Sequence, residues 1–387
     1  MNQRTITAFF IFVAAILFVG APTQAQVLIV GTQGVGCSTP MYSTIQSAID
    51  AATAGATIRV CAGTYPEQVL ITKSLTIHGD NGAMVQPVNV TANVSTLSEP
   101  TAAVIYVSNA ADVNIENLII DGSKNGIMEC APFLVGVLYQ NSSGMLDHNA
   151  IRRMELPFSL NGCQSGDGVD VISTGTPTTV TVSNNSIHGY QKNGVTANES
   201  GTTVVVRNNT VSGVGLTNGA AQNGIQIAFG AAGQVIANNV SNNEWEPCTE
   251  PSTCSTAATG ILVLESNNVV VEQNTLNSNQ LSVYVEANNA NVQQNLVLNT
   301  PILDAISLIG NNNTASQNKV VHSGQADVVV NGNNNEVVDN EIVDAPVGIW
   351  KVTGSTGTVL ADNRFFATFV EVQDPAANRN VHVQPRQ

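Results

Sequence analysis

The stretch 273–365 contains QNTL (273–276), QNLV (294–297), QNKV (317–320), DNEI (339–342) and DNRF (362–365). Their asparagines, Asn274, Asn295, Asn318, Asn340 and Asn363, follow one another at intervals of 21, 23, 22 and 23 residues. In step with them runs a series of short alternating segments: Gly260-Ile261-Leu262-Val263, Ser282-Val283-Tyr284-Val285, Ala305-Ile306-Ser307-Leu308, Asp327-Val328-Val329-Val330 and Gly348-Ile349-Trp350-Lys351. A fixed period of this length is the mark of a solenoid. Alternation with period two and no helical spacing points to an all-β chain, a single-stranded right-handed parallel β-helix with one coil per repeat. A stacked asparagine suits that geometry, because its amide can bond to the coils on either side and be buried without an unmet donor or acceptor.

Outward from this stretch, the chain divides into a leader and one domain. Residues 1–25 carry Arg4, an apolar run over 6–21 and small residues at Thr23-Gln24-Ala25, the pattern of a secretory signal peptide. No later stretch approaches the length of a membrane span. The expected mature chain, 26–387, is one β-helix with an N-terminal cap at about 26–56, inserted loops in the rungs at about 120–260, and regular coils at about 260–370. In the cap, Ser43-Thr44-Ile45-Gln46 reads as a capping box, Ile45, Ala48, Ile49 and Ala52 form one apolar helix face, and Gly55 is placed to close the helix. Such a capping helix would cover the open end of the solenoid, which otherwise invites pairing with another chain. The first strands then read as Ile58-Arg59-Val60, Gly63-Thr64-Tyr65, Val69-Leu70-Ile71 and Leu75-Thr76-Ile77.

The segment YSTIQSAIDAATAGATIRVCAGTYPEQVLITKSLTIHGDNG (42–82) resembles the opening of pectin methylesterases and of many exported right-handed parallel β-helix proteins. The Asn- and Gly-rich coils that follow match the pectate-lyase-like superfamily, and HGYQKNGV (188–195) and AQNGIQIAFGA (221–231) are similar to a group of bacterial β-helix proteins. The resemblance implies the architecture and a carbohydrate-related role. It does not carry catalytic residues across. The chain has no G-x-x-D-F-I-F-G of methylesterases, no R-x-P-x-x-R of pectate lyases, no D-P-H-D of alginate epimerases and no paired aspartates of the polygalacturonase type.

Only 11% of residues are charged and the formal net charge is −15. So few basic residues exclude strong attraction to nucleic acid or anionic lipid, and argue against a groove built to grip polyanionic sugars. Six cysteines in an exported chain suggest up to three disulfides. Proximity favours Cys37–Cys61, Cys130–Cys163 and Cys248–Cys254. A secreted, periplasmic or cell-surface monomer is the expectation.

In the middle rungs the asparagines that continue the ladder are read as Asn149, Asn185, Asn209, Asn239 and Asn274, now 24 to 36 residues apart. The extra residues are insertions, and in repeat folds insertions become loops that often carry function. Lining up Gly136-Val137-Leu138, Gly168-Val169-Asp170, Gly194-Val195-Thr196 and Gly224-Ile225-Gln226 puts the second residue in the core and the third outside. The outward column is polar at Asp170, Thr196 and Gln226, with Asp167, Lys192 and Gln222 just before the glycines. These positions are read as solvent-facing, with Asp170, Lys192 and Asp167 as candidate catalytic groups. Asp167 and Asp170 could hold a hard cation such as calcium, and Lys192 could act as a base. Thr196, Gln222, Gln226, Tyr190 and Arg152 are candidate sugar-binding groups, by amide bonding, ring stacking or a bidentate guanidinium. A blander reading pairs Arg152 and Arg153 with Glu155 or Asp147, makes His148 a turn residue, and puts Asn193 and Asn223 in another turn ladder facing inward.

The function that follows is an exported β-helix protein that binds or processes extracellular polysaccharide in a groove over the middle rungs; as an enzyme it would be a lyase, hydrolase or epimerase. The alternative is a non-catalytic structural or adhesive β-helix.

Overall fold

The computed structural model describes residues 26–34, 36–96, 99–252, 254–376 and 382–383; the leader expected at 1–25 lies outside the described residues. The chain winds as a right-handed coil whose strands stack into three sheets. The first holds 13 strands, from Val27–Val30 to Val359–Ala361, and the second holds 12, from Gly63–Tyr65 to Arg364–Phe366. The third holds 13, from Val69–Ile71 to Val370–Ala376, and includes a short antiparallel strand, Val94–Thr96, outside the winding path. Successive coils pair in parallel, as in Val169↔Val195 and Val195↔Ile225.

One residue type at one position repeats down the interior. Val137, Val169, Val195, Ile225, Ile261, Val283, Ile306, Val328 and Ile349 are all fully buried. Each β-branched side chain fits the pleat and buries apolar surface worth about 1.5–3 kcal/mol. At the N-terminal end the helix Ile45–Ala51 buries Ile45, Ala48 and Ile49 against the first coil. Its cap lies one residue later than the capping box suggested. Thr44 accepts from Ser47 N, and the Glu67 carboxylate accepts from the first-turn amides of Ile45 (2.8 Å) and Gln46 (3.0 Å). The helix stops at Ala51, and Gly55, at φ +80°, serves the turn beyond it.

The asparagine ladder runs Asn149, Asn185, Asn209, Asn238, Asn274, Asn295, Asn318, Asn340, Asn363. Its fourth member is Asn238, where the sequence suggested Asn239; the preceding Ala237 takes the left-handed turn conformation that His148, Asn184 and Asn208 take in their coils. Each rung works the same way. The Oδ1 of Asn238 accepts from both the main-chain N (2.9 Å) and the Nδ2 (3.0 Å) of Asn209, while Asn209 Nδ2 also donates to Val182 O (2.9 Å). Two protons on one carbonyl oxygen satisfy a buried amide in full.

Asp327 breaks the pattern of its column. It stands where other coils place Gly136, Gly168, Gly194, Gly224 and Gly260, a position at which a Cβ on Gly194 would lie 2.5 Å from both Gly224 O and Val211 Cγ1 of the interior. The Asp327 side chain is fully buried, and neither oxygen meets a hydrogen-bond partner. Burial pushes its carboxyl up to about 7; Ser323 and the main-chain amide of Val343, both close by but outside hydrogen-bond geometry, oppose the rise, nearby Asp344 adds to it and His322 opposes it.

Two outcomes follow. Asn209→Ala should lower stability by roughly 2–4 kcal/mol in chemical denaturation, because it strands the buried Asn185 amide as well as losing its own bonds. Asp327 binds its proton more tightly folded than unfolded. Its favourable contribution is therefore full below pH ~4 and lost progressively as pH rises to about 7. Asp327→Asn should remove that slope and raise the unfolding free energy at pH 8 relative to the parent by up to an amount on the order of 4 kcal/mol, seen as a higher melting temperature. Equal melting curves for parent and variant at pH 8 would contradict the assignment.

Candidate functional site

The outer face of the third sheet is sorted by coil. At one end Ala103, Tyr106, Val135, Leu138 and Ile172 form an apolar cluster under Val94. At the other, Leu262, Leu281, Tyr284 and Leu303 pack with Cys248, Cys254 and Trp245 of an inserted loop. Between them the face is polar: Asp167, Asp170, Asn193, Thr196, Asn198, Asn223, Gln226 and Thr259.

The chain kinks at each glycine of this sheet, so the residue before it and the residue two after it share the outer side. Asn193 Nδ2 donates to Thr196 Oγ1 (2.9 Å), and Thr196 Oγ1 donates to Asp167 Oδ2 (3.1 Å). Strict alternation had turned Asn193 and Asn223 inward; the kink reverses that. The ladder expected there does form, on the outside. Asn223 Nδ2 donates to Asn193 Oδ1 (3.0 Å), Thr259 Oγ1 donates to Asn223 Oδ1 (2.6 Å), and Gln226 Nε2 donates to Asn198 Oδ1 (2.9 Å).

The solvent-facing reading of this column is corrected. Asp167, Asp170, Lys192, Gln222 and Gln226 are fully buried, and Thr196 is 1% exposed. An outward residue on one sheet is not thereby a surface residue when loops and neighbouring clusters pack over that sheet. Lys192 Nζ donates to Ala221 O (2.7 Å). Asp167 accepts from Asn193 N (3.2 Å) as well as from Thr196. No group of three or more His, Cys, Asp or Glu side chains able to hold a metal occurs among the described residues.

Tyr190 faces the solenoid interior. It is 1% exposed, its hydroxyl donates to Asn243 Oδ1 (2.6 Å), and burial pushes its phenol up. It cannot stack on a ligand. Arg152 pairs with Asp121 (2.7 Å), not with Glu155 or Asp147. Asp121 is held below the usual carboxylate range by bonds from Ser123, Arg152 and Gln86, against the opposing effect of its burial. His148 lies at a turn, as read, against Asp147.

The inserted loops are anchored by glutamines that lie just before strands of the third sheet, Gln191 ahead of Asn193–Asn198, Gln222 ahead of Asn223–Ala228 and Gln280 ahead of Leu281–Glu286. Gln191 accepts from Leu156 N and donates to Leu160 O and Cys163 O, all at 2.9 Å. Gln222 accepts from Val214 N (3.0 Å) and donates to Tyr190 O (2.5 Å). Gln280 accepts from Ala258 N (2.9 Å) and donates to Trp245 O (2.9 Å) and Cys248 O (2.7 Å). Gln222 thus spends its amide on a wall. The three expected disulfides, Cys37–Cys61, Cys130–Cys163 and Cys248–Cys254, all form, and the last two pin the same loops.

Between the loops at 155–161 and 214–222 opens a cleft of about 270 Å³, lined by Glu155, Leu156, Phe158, Asn161, Gln191, Val214, Thr217, Ala220 and Gln222. Phe158 is 83% exposed. The Glu155 side chain is reachable from the mouth, yet the walls remove enough water to push its carboxyl up, against the pull of Arg153. The sequence reading missed Phe158 and Val214. The available signal was an aromatic residue in an insertion, Pro157-Phe158-Ser159-Leu160, with no periodic partner to bury it.

The coil stack and its insert-walled middle define the class: a right-handed parallel β-helix with a loop-built cleft. Consistently, residues 34–211 and 136–365 match the model of the right-handed β-helix region, and the chain belongs to that family. Similar solved structures include PfbA, a surface adhesin of Streptococcus pneumoniae, at 11% identity over 86% of this chain and 87% of that one, with a TM-score of 0.57. A GH136 lacto-N-biosidase from Eubacterium ramulus matches at 11% identity over 89% and 68%, with a TM-score of 0.58 to its native form over 88% of this chain. The Dettilon tailspike protein matches at 14% over 84% and 64%, with a TM-score of 0.56. No curated protein matches in sequence.

Because Lys192 is buried and bonded, Lys192→Met should cost roughly 1.5–3 kcal/mol of stability through the lost charge-assisted bond. Denaturant titration checks this; an unchanged midpoint would return Lys192 to the surface.

Proposed function

We propose that this chain is an exported protein that binds extracellular polysaccharide over its middle coils. One observation carries the reading. The long insertions are confined to that region and are held as rigid walls by glutamine anchors and two disulfides, while apolar groups such as Phe158 stay open to solvent. Ordered loops on a rigid scaffold are where binding residues concentrate, and fixed walls reduce the ordering cost of a contact. The low charge favours a neutral, hydroxyl-rich partner over a polyanion. Three disulfides fit an oxidising, extracytoplasmic compartment.

Binding is favoured over turnover because Asp167 and Lys192 are buried and committed to Asn193, Thr196 and Ala221. A surface adhesin and a lacto-N-biosidase share the architecture, so fold lends only the class and the site must supply the rest. The mature protein, screened on a glycan array and against polysaccharides with and without Ca²⁺, should retain one or more glycans and release no product. Product release would move the reading to a processing enzyme. Neither retention nor release on any glycan would overturn it.

A further inference from the structure

The cleft beside the buried amide network has the parts of a single-sugar site, and the argument rests on the glycan-binding reading above. One wall is the turn Phe158–Leu160, fixed through Gln191 and the Cys130–Cys163 disulfide. It presents Phe158 almost fully to solvent. The opposite wall is the strand Thr210–Thr217, which presents Val214 (48% exposed) and, beside the cleft, Leu216 (62%). The walls are joined directly, since Ala220 N donates to Asn161 O (2.8 Å) and Asn161 Nδ2 donates to Asn218 Oδ1 (3.0 Å). A large aromatic held in the open on a pinned loop gains nothing for the fold.

The Glu155 carboxylate also lines the cleft and accepts no hydrogen bond from any described residue, while the glutamines Gln191 and Gln222 of the same lining are spent on the loops. We infer that this cleft binds one uncharged pyranose ring, its C–H face laid on Phe158 and two neighbouring hydroxyls donating to Glu155. An aromatic face takes the apolar side of such a ring, and an ionised carboxylate accepts two hydroxyl protons at once. The volume of about 270 Å³ lies below the ~300–1,000 Å³ of sites that enclose drug-sized ligands, which fits one ring with the rest of a chain outside. An acidic sugar is excluded, because its carboxylate would face Glu155.

The test uses the mature protein and saturation-transfer NMR with the methyl glycosides of glucose, galactose, mannose and N-acetylglucosamine. At least one should receive transfer at its ring protons. Phe158→Ala and Glu155→Gln should each weaken it at least tenfold, with melting temperatures unchanged because neither side chain supports the core. Val214→Asp, on the opposite wall, gives an independent variant should either of these fail to fold. Absence of transfer to all four glycosides, or equal affinity in parent and variants, overturns the inference. So does a concentration-dependent dimer that Phe158→Ala dissolves, since Phe158 would then serve a second copy. Array binding that survives all the variants removes the cleft and leaves the glycan-binding reading standing; an empty array removes that reading itself.

Discussion

Everything in this molecule depends on satisfying a buried amide every coil. A solenoid this narrow has turns whose main-chain donors cannot all reach water, and an asparagine stacked on its equivalent solves the problem with one residue type. Its Oδ1 takes two protons from the coil before it, and its Nδ2 gives to a strand carbonyl of that coil and to the asparagine of the coil after. Because the solution is self-complementary, it repeats at any coil length. The middle coils can therefore swell with insertions while the ladder continues from Asn149 to Asn363 without a break. The interior valine and isoleucine columns supply most of the driving force. The ladder fixes which residues turn and so the register in which those columns stack.

The same device recurs outside the core with a different consequence. The row of Asn193, Asn223 and Thr259 on the outer face of the third sheet links three coils, and Thr196, Asp167 and Gln226 complete it. Apolar clusters flank it on both sides. Buried and bonded, this network fixes the platform from which the inserted loops rise. Gln191 and Gln222, each at the start of a strand of that platform, reach out and hold the loops. Scaffold and walls are in this way one hydrogen-bonded unit, and the cleft at Glu155 and Phe158 is a product of both.

The fold was legible because its determinants are periodic. The 22-residue rhythm and the Val/Ile column can be read from spacing, and the capping helix from its cap and apolar face; proximity favours the three cysteine pairs, although spacing does not fix which cysteines join. The candidate site was less so, for reasons that lie in particular residues. Strict alternation predicts inward side chains at Asn193 and Asn223, but the kink at each following glycine puts two residues on one face. Facing away from the core was equated with exposure at Asp170 and Lys192, and nothing local shows that an outer face is covered. Tyr190 looked like a surface aromatic beside a polar patch, yet its partner, Asn243, stands two coils further along the same sheet. Asp121, the partner of Arg152, lies one coil back. Such contacts join residues about 30 to 50 positions apart, and in the irregular middle coils no fixed period predicts them.

The central claim is that the inserted loops are rigid walls bonded to a buried polar platform, not mobile additions to a rigid rod. Hydrogen exchange of the mature protein tests it most directly, at the amides of Leu156, Cys163, Val214 and Ala220, each a donor to a fixed partner. The account predicts slow exchange at these sites, closer to that of neighbouring coil strands than to that of free chain. Exchange at the rate of unstructured peptide in both loops, with the coils still protected, would contradict it.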